Sequence, residues 1–525
     1  MPKQQGPVVL CILDGFGIAP DSKGNGVTRA GMPNFNHCIR TYPTMTLKAS
    51  GLVVGLPRSE MGNSEVGHLN IGTGRVFYQN RQRIDHAVER GEFHANEAFQ
   101  RTVKHVRERG SQLHLIGLVS TGGVHSHQEH CHALIEFAKK QKVKEVYIHA
   151  MLDGRDAIYN SGVKFIDRLE KFCKQQGVGK IATISGRYFG MDRDKRWDRE
   201  ERAYRAMVEG VGETATHAKE AIVASYEKKI YDEEFPPTVM VKGDSPIGRI
   251  QDGDGIIFFN FRADRARQLT RAFVDPKFKG FERTQLKDIH FAAMMEYEKG
   301  LDVDIAFPPE EIPTSLGQEW SDRKLKQLHI AETEKYMHVT FFFNGMREEE
   351  LPNEHRILIP SPKVASYDTQ PEMSAPKICS SLVKEIRDGL FDCAVVNFAN
   401  ADMVGHTGAI DATVSANATV DKCLGEVLAA MNERNGTLIV TADHGNAEEL
   451  LNLKTGEIDK EHSTNPVPFI LCGTKYVDQP SAELKAVDWD LSLLQPVGML
   501  ADIAPTVLGI MGIPQPSGMS GQSLL

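Results

Sequence analysis

Three short segments carry side chains whose types and spacing could bind a metal and activate a hydroxyl. They are Asp402-Met-Val-Gly-His406, Asp443-His444 with His462 beyond it, and Met61-Gly-Asn-Ser64-Glu-Val-Gly. Carboxylate oxygens mixed with imidazole nitrogens suit a borderline divalent ion such as Mn²⁺ or Zn²⁺. A serine hydroxyl is a weak nucleophile near neutral pH until a base or a metal takes its proton. Convergence of the segments would therefore give a metal-activated serine. The five acid and imidazole side chains exceed the needs of one tetrahedral site, which points to two ions sharing a cleft. Asp14, closing the apolar run Val8–Leu13, is the natural further carboxylate.

Each group also has an ordinary reading. Asp402 and His406 share a face if they lie on a helix, yet such pairs are often merely solvated. Asp14 before Gly15 reads equally as a turn aspartate, Ser64 before Glu65 as a helix N-cap, and His462 as a structural histidine. The N-cap and nucleophile readings of Ser64 are compatible, because a helix start also favours phosphate. Asp443 and His444 are sharper. Neighbours on a strand point to opposite faces, so both reach one ion only where the strand ends and Gly445 lets the chain turn.

The middle of the chain supplies a second chemistry. Arg155, Arg187, Arg193, Arg262 and Arg265 each follow a short apolar run. The planar guanidinium fork matches phosphate and carboxylate oxygens two at a time. Asp156, Asp192 and Asp264 could pair with them in a purely structural role, but five arginines on one sheet edge imply a concentrated anion site. Lys335 has no role that spacing reveals. The arginines are scattered singly, with no basic stripe or interleaved aromatics, which excludes nucleic acid.

The elements that must position these groups are apolar, β-branched runs ending on polar clusters: Val8–Leu13, Leu113–Leu118, and segments 146–151, 181–184, 256–260, 394–398 and 438–441. Runs of this length suit buried parallel strands. Helical spacing of Val420, Leu424, Val427, Leu428 and Met431 predicts a helix over 412–432, with Gly436 as its stop. Strands alternating with helices indicate an α/β fold, whose ligands lie beyond the carboxyl ends of the strands. The polar clusters fall there. Metal-type residues occur early and late while the arginine-bearing strand ends lie between, so one α/β domain is expected to be split by a second, inserted one. Segments 76–80 and 307–314 are the candidate hinges.

A chain of 525 residues exceeds one compact core, and 41% hydrophobic with 25% charged residues excludes disorder. The net charge of −9 gives no general attraction to polyanions. Eight cysteines without a CxxC pattern read as reduced, buried thiols. The N-terminal apolar stretch is too short for a signal peptide and no run is long enough to span a membrane, so a cytoplasmic protein is expected.

Taken in order, LDGFG (13–17), MGNSEVGHLNIGTGR (61–75), GGVHSH (122–127), DGRD (153–156), SGRYFGMDRD (185–194), NFRADRARQ (260–268), ETEKYMHVTFFFNG (332–345), NFANADMVGHTG (397–408), TADHGNAE (441–448) and EHSTNPVPF (461–469) resemble the cofactor-independent phosphoglycerate mutase family. The C-terminal segment also resembles the wider alkaline phosphatase superfamily. The resemblance implies an alkaline-phosphatase-like α/β domain split into 1–77 and 313–525 around an inserted α/β transferase domain, 78–312. It implies one ion on Asp402, His406 and His462 and another on Asp14, Ser64, Asp443 and His444. Mn²⁺ is expected, and Mg²⁺, Co²⁺ or Zn²⁺ would also fit. Substrate contacts fall on His125, Arg155, Asp156, Arg187, Arg193, Arg262, Arg265 and Lys335, with Ser64, Lys335 and His125 as the catalytic set. The small departures are Phe16, Thr73 and Met346, none at a ligand position. The implied activity is interconversion of 3- and 2-phosphoglycerate through a phosphoserine, by a monomer whose domains close to exclude water. The rivals are a metal-dependent phosphomonoesterase, a phosphopentomutase-like sugar-phosphate mutase, and a non-catalytic metal- or anion-binding relative.

Overall fold

The computed structural model describes residues 6–310 and 312–525. The chain forms two compact units. One comprises the N-terminal stretch through Tyr78 together with the chain after Glu310, and the other is Gln79–Glu310.

In the first unit, Val8–Leu13 is buried along its whole length, which explains its unbroken apolar sequence. Each fully buried Val, Leu or Ile contributes roughly 1.5–3 kcal/mol. The strand pairs in parallel with Cys393–Phe398 on one side and Thr437–Thr441 on the other. These three are the middle of an eight-stranded sheet among the described residues. Gln327–Glu332 and Glu354–Ile359 extend it in parallel at one edge. Val467–Cys472 and Thr44–Lys48 extend it by antiparallel pairing at the other, and Gly498–Met499 adds in parallel to the last.

The helix Ile410–Glu433 connects Cys393–Phe398 to Thr437–Thr441 and buries Val420, Leu424, Val427, Leu428 and Met431. Its stop differs from the sequence reading. Asn435, at φ 52°, takes the left-handed position. Gly436 is small for another reason: a Cβ there would lie 2.8 Å from the Pro7 carbonyl oxygen and 2.6 Å from Met431 Cε.

The second unit repeats the logic with its own core. Leu113–Leu118 and Val146–Leu152 pair in parallel at its centre. Gly255–Phe258 and Lys180–Gly186 flank them, also in parallel. His290–Ala293 and Asp304–Ile305 continue one side, and Thr238–Lys242 continues the other by antiparallel pairing, with Glu213–Ala215 added beyond it in parallel. The run 256–260 leaves the sheet earlier than its composition suggests, after Phe258. There Asn260 Oδ1 replaces a backbone partner by accepting the Leu118 N–H at 2.9 Å.

The cysteines are free and buried. Burial holds the Cys131 and Cys393 thiols well above their ordinary pKa, so they stay protonated.

Candidate active site

Four parallel strands of the first unit deliver polar side chains just past their carboxyl ends. Asp14 follows Val8–Leu13, and its backbone ties two neighbours together. Its N–H donates to the Phe398 carbonyl at 3.1 Å, and its carbonyl accepts the Asp402 N–H at 3.0 Å. Gly15 makes this approach feasible, with φ 71° and a position where any Cβ would lie 2.6 Å from Asp402 Cα. Asp402 sits in the short helix Asn400–Gly405, and His406 caps its end. Lys335 closes the 3-10 turn Thr333–Lys335 after Gln327–Glu332.

Asp443 and His444 lie beyond Thr437–Thr441, where the chain has left the strand. Gly445, read from sequence as the residue that lets the chain turn, does not occupy the left-handed region. Its place packs so tightly that a Cβ would stand 2.3 Å from Ser463 Oγ, and it bridges Ser463 as a short β-pair.

Ser64 is the first residue of the helix Ser64–Thr73, and the N-cap is Asn63, whose side chain accepts from Val66 N–H at 3.0 Å. The N-cap reading of Ser64 is therefore displaced by one residue. Capping by Asn63 leaves Ser64 Oγ for other partners.

One group of side chains is Asp402, His406 and His462. His406 Nδ1 donates to the Lys460 carbonyl at 2.8 Å and His462 Nδ1 donates to the Gly62 carbonyl at 2.7 Å. Carbonyls only accept, so these bonds fix both tautomers and leave each neutral Nε2 bare. The two Nε2 atoms are 3.0 Å apart, and each is 3.2 Å from Asp402 Oδ1. A divalent ion with ligand distances of about 2.1 Å sets adjacent octahedral ligands about 3.0 Å apart. Three acceptor atoms at that spacing, with no proton between neutral rings, fit a cation. The same crowding shifts the imidazoles. In competition with an ion, Asp402 also favours a proton on these Nε2 atoms: its hydrogen bond raises His406, and for His462 the burial that lowers it is outweighed by the bonds to Asp402 and Gly62.

The second group surrounds Ser64. Lys335 Nζ lies 2.7 Å from Ser64 Oγ, 2.7 Å from Asp402 Oδ2 and 2.6 Å from Asp14 Oδ1, which engages all three ammonium protons. Ser64 Oγ is 2.9 Å from His444 Nε2 and 3.3 Å from Asp14 Oδ1. Ligand atoms of Asp14, Asp443 and His444 lie within 4.8 Å of one another, and so do those of Asp402, His444 and His462. His444 thus adjoins both groups. Asp443 Oδ2 is buried and has no hydrogen-bond partner among the described residues, so a lone pair remains for an ion.

Charge makes the same point. Asp14, Asp402, Asp443 and Lys335 are all buried, leaving carboxylates in excess over ammonium. Burial raises Asp14, reinforced by repulsion from Asp443. Burial also opposes ionisation of Asp402, but Lys335 and the two histidines hold it well below the usual carboxylate range. Burial lowers Lys335 less than the three carboxylates raise it, so the ammonium keeps its charge. Divalent cations would neutralise this set and use its free lone pairs. The donor set fits them.

The second unit gathers the other predicted residues at its own strand ends. Arg187 donates to Asp153 Oδ1 at 2.7 Å and Asp156 Oδ2 at 2.5 Å, and all three follow strand ends. Asp264 receives Arg193 at 3.1 Å and Arg262 at 3.2 Å. His125 Nδ1 lies 3.6 Å from Asp264 Oδ1, and its Nε2 lies 3.9 Å from Asp156 Oδ2. Burial, helped by Arg187, lowers the His125 pKa to about 4. Arg265 donates to the Met191 carbonyl at 2.9 Å. Burial and then Arg187, Arg193 and Arg155 lower its pKa, the mark of cations crowded together. Arg155 is the outlying member, half exposed and 3.5 Å from Glu233.

Sequence reasoning missed several supporting groups. Asp153 accepts from Ser120 Oγ as well as Arg187. Asn446 Nδ2 donates to Asp402 Oδ1 at 2.9 Å. Glu448 accepts Gly17 N–H, Asn446 N–H and Asn465 Nδ2. Asn397 contacts Asp14, and His68 contacts Ser64. A polar residue interrupting the apolar strand Cys393–Phe398 was a usable signal for Asn397; His68, one turn after Ser64, was another.

Residues 84–299 match the family model described as BPG-independent PGAM N-terminus. Over 520 residues the chain is 51% identical to 2,3-bisphosphoglycerate-independent phosphoglycerate mutase of Clostridium perfringens (strain SM101 / Type A), with 99% of each chain covered. The enzyme of that name from Moorella thermoacetica is 49% identical, covering 99% of this chain and 98% of that one. Among solved structures, Leishmania mexicana phosphoglycerate mutase at low cobalt concentration is similar at a TM-score of 0.52 and 32% identity, with 99% of this chain and 98% of that one covered.

Proposed function

The chain belongs to the 2,3-bisphosphoglycerate-independent phosphoglycerate mutases, and we propose from that premise that Ser64 carries the phosphoryl group between the two positions of glycerate. The enzyme is a glycolytic isomerase interconverting 3-phosphoglycerate and 2-phosphoglycerate. The observation supporting Ser64 is its position between Lys335 Nζ at 2.7 Å and His444 Nε2 at 2.9 Å, with Asp14 alongside. A hydroxyl so placed has a fixed cation to stabilise negative charge on Oγ.

We assign one divalent ion to Asp402, His406 and His462 and the other to Asp14, Ser64, Asp443 and His444, with Mn²⁺ as the ion. Bound there, the ions would supply Lewis acidity that favours ionisation of a hydroxyl and offsets phosphoryl charge. Ser64 Oγ attacks phosphorus, the P–O bond to C3 breaks, and the C3 oxygen gains a proton equal to the one Ser64 lost. In the second transfer the C2 hydroxyl gives up its proton and attacks phosphoserine, and Ser64 leaves and regains its own. Two in-line displacements give retention at phosphorus. Lys335 stays protonated and donates to Oγ throughout.

The guanidinium groups of Arg155, Arg187, Arg193, Arg262 and Arg265, with His125 and Asp156, are proposed to hold the glycerate and its carboxylate. Their crowding, visible in Arg265, supports an anion site. The proposal extends to a monomer in the cytoplasm. Among the described residues no helix is long and apolar enough to cross a membrane.

The test is conversion of 3-phosphoglycerate by wild type and Ser64→Ala, with Mn²⁺ and without bisphosphoglycerate, while free phosphate is followed. Wild type should form 2-phosphoglycerate with little phosphate release, and Ser64→Ala should lose about 10³-fold or more in kcat. Normal turnover by Ser64→Ala would refute the covalent route. Stoichiometric phosphate release by wild type would contradict the transfer scheme.

A further inference from the structure

Asn397 and His68 lie outside the ligand set assigned above, and both side chains are completely buried. His68 stands one helical turn after Ser64, so its ring reaches back along the helix. Nδ1 lies 2.9 Å from the Ser64 carbonyl oxygen and 3.2 Å from Asp443 Oδ2. A carbonyl cannot donate, so Nδ1 carries the proton and Nε2 is an acceptor. Asn397 Nδ2 meets that Nε2 at 3.0 Å and also donates to Asp14 Oδ2 at 2.7 Å. The opposite amide orientation would set an oxygen against a carboxylate and an imidazole lone pair at once. The hydrogen bonds therefore have one consistent direction, from Asn397 outward to Asp14 and through His68 to Ser64.

This arrangement has a packing cost. Asn397 Oδ1 is buried with no hydrogen-bond partner among the described residues. An unpaired buried acceptor is unfavourable, and an apolar side chain of the same size would avoid it. The amide is explained by its two donors.

Resting on the reading of Ser64 as nucleophile, we propose that Asn397 and His68 are positioning residues: together they fix the backbone of Ser64 relative to Asp14. The strand Cys393–Phe398 supplies the rigid anchor. Displacement of the Ser64 carbonyl would move Oγ away from Lys335 and His444, which hold it from the other side.

Three variants separate the links. Asn397→Leu removes both donors and also relieves the orphaned oxygen. His68→Gln keeps an acceptor near the Nε2 position but drops the donor to Ser64. His68→Asn keeps a donor near the Nδ1 position but drops the acceptor for Asn397. The measurements are kcat and KM for 3-phosphoglycerate, Mn²⁺ titration followed by electron paramagnetic resonance, and the thermal unfolding midpoint. Asn397→Leu and His68→Gln should remain folded, lose about 10- to 100-fold in kcat with KM unchanged, and bind one of two Mn²⁺ ions more weakly. His68→Asn should fall between them and wild type. Wild-type kcat and Mn²⁺ titration in folded Asn397→Leu and His68→Gln would overturn the inference. Parallel loss of folding and activity in all three variants would reduce the pair to a structural role and overturn it too. Should Ser64→Ala retain activity, the nucleophile reading itself has failed; should Ser64→Ala be dead while these variants match wild type, only the positioning role has.

Discussion

In the first unit the charged groups are sealed in, with Asp14, Asp402, Asp443 and Lys335 each no more than 3% exposed. In the second, Arg155, Arg193 and Arg262 keep 56%, 48% and 51% of their side-chain surface accessible. A sealed set with excess carboxylate cannot borrow neutralisation from water, so it is built for cations and holds its geometry tightly. Half-exposed arginines give up little when they exchange an internal acid for a ligand oxygen. Asp264, shared by Arg193 and Arg262, would be such a partner under the proposed substrate assignment. Arg187 breaks the pattern because it is buried between Asp153 and Asp156.

The contrast can be broken most severely at Arg187. Arg187→Ala leaves two carboxylates facing each other with no counter-charge, and loss of one partner of a buried pair costs about 3–5 kcal/mol. Denaturant unfolding should show that loss in the second unit; a change under about 1 kcal/mol would make Arg187 equivalent to its exposed neighbours. Mn²⁺ at 100 times its dissociation constant should raise stability of the metal-free protein by about 2.7 kcal/mol. Thermal unfolding should report this, and Asp402→Asn should diminish it; identical midpoints with Mn²⁺ and chelator would remove the cation requirement. Arg262→Ala should be milder, raising KM about tenfold, as expected for one charge-assisted contact. Unchanged steady-state kinetics would take Arg262 out of the substrate site.

The smallest effect concerns pH. His125, facing Arg187, Arg262, Asp156 and Asp264, has its folded pKa lowered to about 4 from 6.5. The folded state thus prefers neutral imidazole, so this contribution is whole above pH ~6.5 and is lost as pH falls toward 4. His125→Gln should make stability decline less steeply across that window. Equal slopes for the two proteins would show that His125 is not the titrating group.

Sequence alone disclosed the central strands of both sheets because these are buried along their length, which imposes unbroken apolar runs such as Val8–Leu13. The edge strand Glu354–Ile359 is only partly buried and is not among the expected runs. It also disclosed the acids and imidazoles, since Asp402 and His406 share a helix face and Asp443 and His444 sit where a strand has ended. It could not disclose partners fixed by tertiary packing. Lys335 is one lysine among many in the sequence, and only folding brings Nζ to Ser64, Asp14 and Asp402. Asn63 and Ser64 compete for the same cap, and local sequence does not decide between adjacent candidates. Gly436 and Gly445 read as turn residues, whereas their smallness answers close packing by segments distant in sequence.

The most direct test of the account is to quench the Mn²⁺-loaded enzyme in acid during turnover of 3-phosphoglycerate and map phosphorylation by tandem mass spectrometry. The account predicts a phosphoryl group on Ser64, absent from enzyme quenched without substrate. Phosphate on another residue, or none on Ser64 during rapid turnover under conditions where a phosphoserine standard survives the quench, would contradict it.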